Sequence, residues 1–186
     1  MNVIETKLAG VVLLEPDVYA DERGFFLETW NQKRYENVGI REPFVQDNAS
    51  FSQKGILRGL HFQNPQSQGK LVQVLSGEVM DVAIDIRLGS PTFGQWIGTT
   101  LSGVNHRQMY IPPGFAHGYF VTSETAFFSY KCTNFYNPAK EHGIVWNDPD
   151  LNIDWPVREP LLSSKDAGYS RLKDLPRDTL PHFEDI

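Results

Sequence analysis

The chain has 186 residues, 40% of them hydrophobic and 12% aromatic, and a formal net charge of −6 from 17 basic and 23 acidic side chains. That length suits one domain spanning residues 1–186, and that much apolar material can build a core, which excludes wholesale disorder. The acidic balance excludes a protein that mainly binds nucleic acid, because phosphate backbones need a broad basic surface, so a small anionic ligand must be gripped by a few cations gathered in a pocket.

The start of the chain, Met1 to Lys7, has no apolar run behind a basic residue, and the aliphatic run Val11-Val12-Leu13-Leu14 is far short of the ~20 residues of a membrane span. Cys132 is the only cysteine, so neither an intrachain disulfide nor a cysteine-built zinc site is expected. A soluble cytoplasmic protein with no membrane partner is the expectation. In Asp21 to Glu28, charges meet aromatics as in a solvated turn entering a strand, and a short helix is predicted near 31–38.

Between about 44 and 146, runs rich in Val, Ile, Phe and Tyr alternate with turn signals. Strands are predicted over 70–75, 78–87, 96–101, 108–111, 119–122 and 126–133. In the 78–87 run, Val82, Ile84 and Ile86 share one face while Asp81, Asp85 and Arg87 take the other. A second helical segment is predicted around 165–175, and the last forty or so residues, richer in Pro and charge, wrap the outside. Many short strands without long helices predict an all-β antiparallel sandwich or barrel with short peripheral helices.

Chemistry concentrates in a few places. In Leu57-Arg58-Gly59-Leu60-His61-Phe62-Gln63, strand alternation sends Arg58 and His61 to opposite faces unless Gly59 allows a bulge. A lone strand histidine is more often structural than catalytic. Pro112-x-Gly114-x-x-His117 resembles the second box of the cupin superfamily of jelly-roll barrels. His61-x-Gln63 offers one imidazole where the first cupin box supplies two, so no metal site is expected. His106, His142 and His182 have no ligand-like companions and read as surface or packing residues.

Taken together, the blocks at 21–26, 44–48, 57–63, 69–72, 90–94, 111–118, 130–133, 146–151 and 164–167 resemble the dTDP-4-dehydrorhamnose 3,5-epimerases, over about Ile4 to Leu175. The resemblance implies a cupin-type jelly roll, a homodimer, no cofactor, and a dTDP-linked 4-keto-6-deoxy sugar as substrate. Protons at C3 and C5 of such a sugar are acidic because their loss gives an enolate. Among the catalytic residues it implies, His61 is the base, Asp166 its carboxylate partner, Tyr130 the acid on the opposite face, and Lys70 the cation beside the enolate oxygen. It further implies that Arg23 and Arg58 hold the diphosphate and that His117, Gln46 and Asn48 line the sugar-phosphate region. It also implies that Tyr136 stacks on the nucleobase, with Glu28, Glu141 and Lys165 at nucleotide-contacting positions. In dimers of this family the N-terminal strands cross between subunits, and the resemblance thus implies that Arg23 and Glu28 are to serve the neighbouring subunit's site.

Two places depart from the family pattern: Ala49, where a larger residue is common, and Gly168-Tyr169, which could alter how Asp166 approaches His61. Epimerisation at one carbon only, a CDP- or GDP-linked substrate, a non-catalytic sugar-nucleotide-binding cupin and a metal-dependent cupin are the alternatives.

Overall fold

The computed structural model describes residues 1–185. Its strands are β1 (Asn2–Glu5), β2 (Val12–Glu15), β3 (Val18–Asp21), β4 (Gly24–Leu27), β5 (Gln46–Gln53), β6 (Leu57–Gln63) and β7 (Lys70–Ser76). They continue with β8 (Glu78–Asp85), β9 (Trp96–Ser102), β10 (Gln108–Ile111), β11 (Phe115–Val121), β12 (Thr125–Cys132) and β13 (Glu141–Gly143). Two short helices are present, α1 (Gln32–Glu36) and α2 (Ser164–Ala167).

Six strands form one antiparallel sheet in the order β1-β2-β10-β7-β12-β5, five form a second in the order β13-β6-β11-β8-β9, and β3 and β4 pair only with each other. The expected all-β architecture is present. The first sheet also recruits β1 and β2 from outside the 44–146 stretch, because β2 pairs with β10 from Leu14↔Gln108 to Val12↔Tyr110.

Two apolar layers explain which residues face where. Val72, Val74, Met109 and Phe128 of the first sheet meet Val79, Ala83, Phe115 and Val121 of the second in one buried cluster. Behind the second sheet, Val82, Ile84, Ala116 and Phe120 pack under Ile144, Leu151, Trp155 and Leu172 of the C-terminal segment. That segment therefore wraps the β-structure as expected, and at roughly 1.5–3 kcal/mol per large apolar side chain its burial is a substantial part of the fold's stability. It also makes β8 and β11 interior on both faces. The Asp81–Asp85 side of β8, which by alternation could have faced solvent, shares the face of Val79 and Ala83 toward the first sheet and is buried.

Helix α1 begins where Asn31 caps the Arg34 amide, as the 31–38 expectation required, but it is shorter. The 165–175 helix is not continuous. Ser163 caps α2, the chain leaves the helix at Gly168, and a separate 3-10 turn covers Leu172–Asp174. The 119–122 strand starts earlier, at Phe115, since the chain break lies at Pro113-Gly114 and the His117 box is itself extended.

Candidate active site

A cavity of about 590 Å³ opens between the sheets. On β5 the even-numbered Gln46, Asn48 and Ser50 face it, and on β12 Phe128, Tyr130 and Cys132 do the same, as strand alternation dictates. Lys70, at the start of β7, completes that wall. Ala49 lies on the exposed face of β5 beside Asp47, so the first departure from the family pattern does not shape the cavity of its own chain.

The opposite wall depends on an irregularity in β6. His61 pairs with His117 and Arg58 with Tyr119, so three residue steps on β6 span two on β11. This bulge cancels the alternation that would separate Arg58 from His61, and both line the cavity. Gly59 sits in the bulge at φ 114, and an added Cβ would lie 2.6 Å from the Gly118 Cα and 2.7 Å from the His117 carbonyl. Only glycine fits there.

The bulge also serves the dyad. Nε2 of His61 donates to Oδ1 of Asp166 at 2.6 Å, and the Gly59 amide donates to the same carboxylate. Burial alone would raise the Asp166 carboxyl, but the His61 hydrogen bond and charge, with Ser163 and Gly59, hold it below the usual carboxylate range. A carboxylate on Nε2 leaves Nδ1 of His61 with the lone pair, in the state a base requires. Tyr169 stands edge-on to the His61 ring at 5.8 Å and rests on Gly143, where a Cβ would come within 2.2 Å of the phenol. The Gly168-Tyr169 departure thus flanks the dyad without breaking it.

Tyr130 comes from the other sheet, so base and phenol stand on opposing walls. Burial, with Cys132, Tyr119 and Glu141 nearby, pushes its pKa up to about 12, which keeps it protonated. Burial lowers the Lys70 pKa, while Cys132, Glu141 and Asp81 pull it back up. Nδ2 of Asn48 donates to the buried Cys132 Sγ at 3.6 Å.

At the mouth, Glu141 accepts from Lys165 Nζ at 2.7 Å and from the Tyr136 hydroxyl at 2.8 Å. Gln46 and Gln63 fix the loop that carries Tyr136, accepting from the Tyr136 and Asn137 amides at 2.8 Å each. Gln46 is therefore a positioner of the Tyr136 loop as well as a lining residue. Ser50, Gln63, Tyr119, Cys132 and Asp81 belong to this region and were not singled out from sequence as site residues. The Ser50 and Tyr119 hydroxyls are 2.8 Å apart, a contact only the sheet-on-sheet packing creates.

Arg23 and Glu28 are not brought to the cavity of their own chain. Arg23 is 85% exposed at the β3–β4 turn and paired with Asp21, while Glu28 accepts from Asn31 and pairs with Arg34 at 3.4 Å. His106 packs on Phe25 and His142 on Phe62, as packing residues do. Among the described residues, no three His, Cys, Asp or Glu side chains are grouped as metal ligands would be.

The family pattern described as dTDP-4-dehydrorhamnose 3,5-epimerase matches residues 5–174. A dTDP-4-dehydrorhamnose 3,5-epimerase of Shigella flexneri is 55% identical over 176 residues, covering 94% of this chain and 97% of the relative. The crystal structure of a dTDP-6-deoxy-D-glucose-3,5-epimerase from Legionella pneumophila, in complex with dTDP-4-keto-L-rhamnose, superposes with a TM-score of 0.96 at 55% identity and covers 98% of each chain. A 3'-monoepimerase from Streptomyces bikiniensis, in complex with dTDP-quinovose, matches with a TM-score of 0.90 at 32% identity, covering 96% of this chain and 92% of its own.

Proposed function

The chain belongs to the dTDP-4-dehydrorhamnose 3,5-epimerase family, and from that membership we propose how its cavity carries out the reaction. The enzyme is an isomerase that epimerises C3 and C5 of dTDP-4-dehydro-6-deoxy-D-glucose, giving dTDP-4-dehydro-L-rhamnose for dTDP-rhamnose biosynthesis. The observation that carries the mechanism is the His61–Asp166 pair on one wall facing a protonated Tyr130 on the other.

His61 Nδ1 takes the proton from the sugar carbon, and Asp166 stabilises the imidazolium that forms. The electron pair moves onto the C4 ketone oxygen, where the Lys70 ammonium balances the enolate. Tyr130 then gives its proton to the carbon from the opposite face, which inverts it. A phenol is a weak acid, but it needs only to be stronger than the carbon it protonates. The substrate already carries its carbonyl, so the proton transfers need no redox partner.

Arg58 is the diphosphate ligand within the chain, its guanidinium fork suited to phosphate oxygens. His117 and Asn48 line the hexose region, and Tyr136 stacks on the base, anchored through Glu141 to Lys165. The working unit is a homodimer in the cytoplasm, in which Arg23 and Glu28 of one subunit reach the other's cavity.

His61→Ala and, separately, Tyr130→Phe are expected to lower turnover by about 10²–10⁴-fold, the range for removing a positioned acid or base, with the thermal unfolding curve unchanged. Near-wild-type turnover in either variant overturns that residue's role.

A further inference from the structure

Asp81 on β8 is fully enclosed, and in the reaction above it acts only through the negative charge that it presents to Lys70. The other fully buried carboxylate of the strand, Asp85, is saturated by Arg87, Ser90 and Thr92 and is structural. Asp81 instead has one side-chain partner among the described residues: both its oxygens lie 3.0 Å from His117 Nε2. Enclosing a carboxylate costs several kcal/mol unless it is paired, so an Asp81 bonded to a single cavity residue needs a reason.

The hydrogen must sit on Nε2, because a carboxylate only accepts. Nδ1 of His117 bonds to nothing among the described residues. No side-chain nitrogen or oxygen sealed from solvent lacks a partner among the described residues, so Nδ1 opens onto the cavity that His117 lines. Burial lowers the His117 pKa, as do the Lys70 and His61 charges, against the upward pull of Asp81. The ring is neutral and shows the cavity a lone pair. Such a nitrogen accepts from a hydroxyl and repels a phosphate oxygen.

We propose that Asp81 is a positioning residue that holds His117 in its Nε2–H tautomer, so that Nδ1 accepts a hydrogen bond from a hydroxyl of the bound hexose. The inference rests on the cavity's being the sugar-nucleotide site, and it places His117 on the hexose and not on the diphosphate.

Asp81→Asn tests it. With its NH2 turned to the ring, the asparagine would donate to Nε2, which would move the ring hydrogen to Nδ1 and turn the cavity nitrogen from acceptor to donor, and the ring spectrum below reads whether it has done so. The expected result is a kcat/KM for the dTDP-linked 4-keto sugar lower on the order of 10- to 100-fold, the effect of one unpaired buried polar group, with unchanged affinity for dTDP alone. Nitrogen-15 NMR of the His117 ring should show Nε2–H in the wild type and Nδ1–H in the variant. An unaltered kcat/KM, a dTDP affinity that falls in step with it, or a wild-type ring protonated on Nδ1 overturns the proposal. If the variant does not fold, the wild-type spectrum alone decides the tautomer. A wild-type protein that turns over no dTDP-linked 4-keto sugar defeats the functional reading and leaves the tautomer measurement standing.

Discussion

Lys70 is a half-buried cation on the cavity wall. Burial favours its neutral form, and the neighbours that oppose this are Cys132, Glu141 and Asp81. The depressed pKa has a signed consequence for the role proposed for Lys70, in which only the protonated form would balance the enolate. Activity should be complete below that pKa and fall as pH rises through it, so the alkaline limb of kcat/KM lies below the ordinary lysine value of 10.5. Tyr130, pushed up to about 12, titrates too high to supply that limb. A profile that stays flat to pH 10.5 or beyond contradicts the role given to Lys70. The same residue scale shows what one sequence can disclose. His61, Lys70 and Tyr130 could be picked out as candidates because each stands in a family block, and the three line one cavity. Asp81 was not, since a carboxylate alternating with Val82 and Ile84 looks the same whether water or a histidine faces it.

Elements make the difference between those two cases. The β6 bulge was legible as a possibility, because Gly59 interrupts an otherwise ordinary strand and Arg58 and His61 needed a common face. Its second task, donating the Gly59 amide to Asp166, depends on α2 arriving from more than a hundred residues away. The break at Gly168 was missed for a related reason. The 165–175 stretch has helix-forming residues, but Tyr169 must turn to rest on Gly143, and tertiary packing overrides local preference. Gly59→Ala should therefore act on the site and the fold together. The φ of 114 and the 2.6 Å approach to Gly118 predict a loss of about 3 kcal/mol of unfolding free energy. Activity should be lost even where the variant is still folded. Denaturant unfolding and turnover measure both, and a variant within 1 kcal/mol of wild type (about a fivefold change in the equilibrium) with full activity removes the bulge from the account.

On the scale of the whole molecule, the outlier is the β3–β4 hairpin. An isolated two-stranded hairpin is marginal in water, yet this one exposes Tyr19, Phe25 and Phe26 at 61%, 56% and 69%. Its turn carries Arg23 away from its own cavity, which holds few cations for a doubly charged diphosphate. In the proposed homodimer a second copy of the chain would answer both features, covering the aromatics and receiving Arg23. Analytical ultracentrifugation at micromolar concentration should give a dimer mass, and a monomer there would contradict the shared site. The net charge of −6 agrees with that proposal, in which cations gathered at the cavity, and not the field of the whole protein, would meet the ligand's anionic group. The central claim, proton removal and return at two carbons through an enolate, is tested most directly by proton NMR. Purified enzyme is incubated in deuterated water with dTDP-4-dehydro-6-deoxy-D-glucose, and the sugar signals are followed. Deuterium at both C3 and C5, with inversion at each, is the predicted result; deuterium at one carbon only, or at neither, would contradict it.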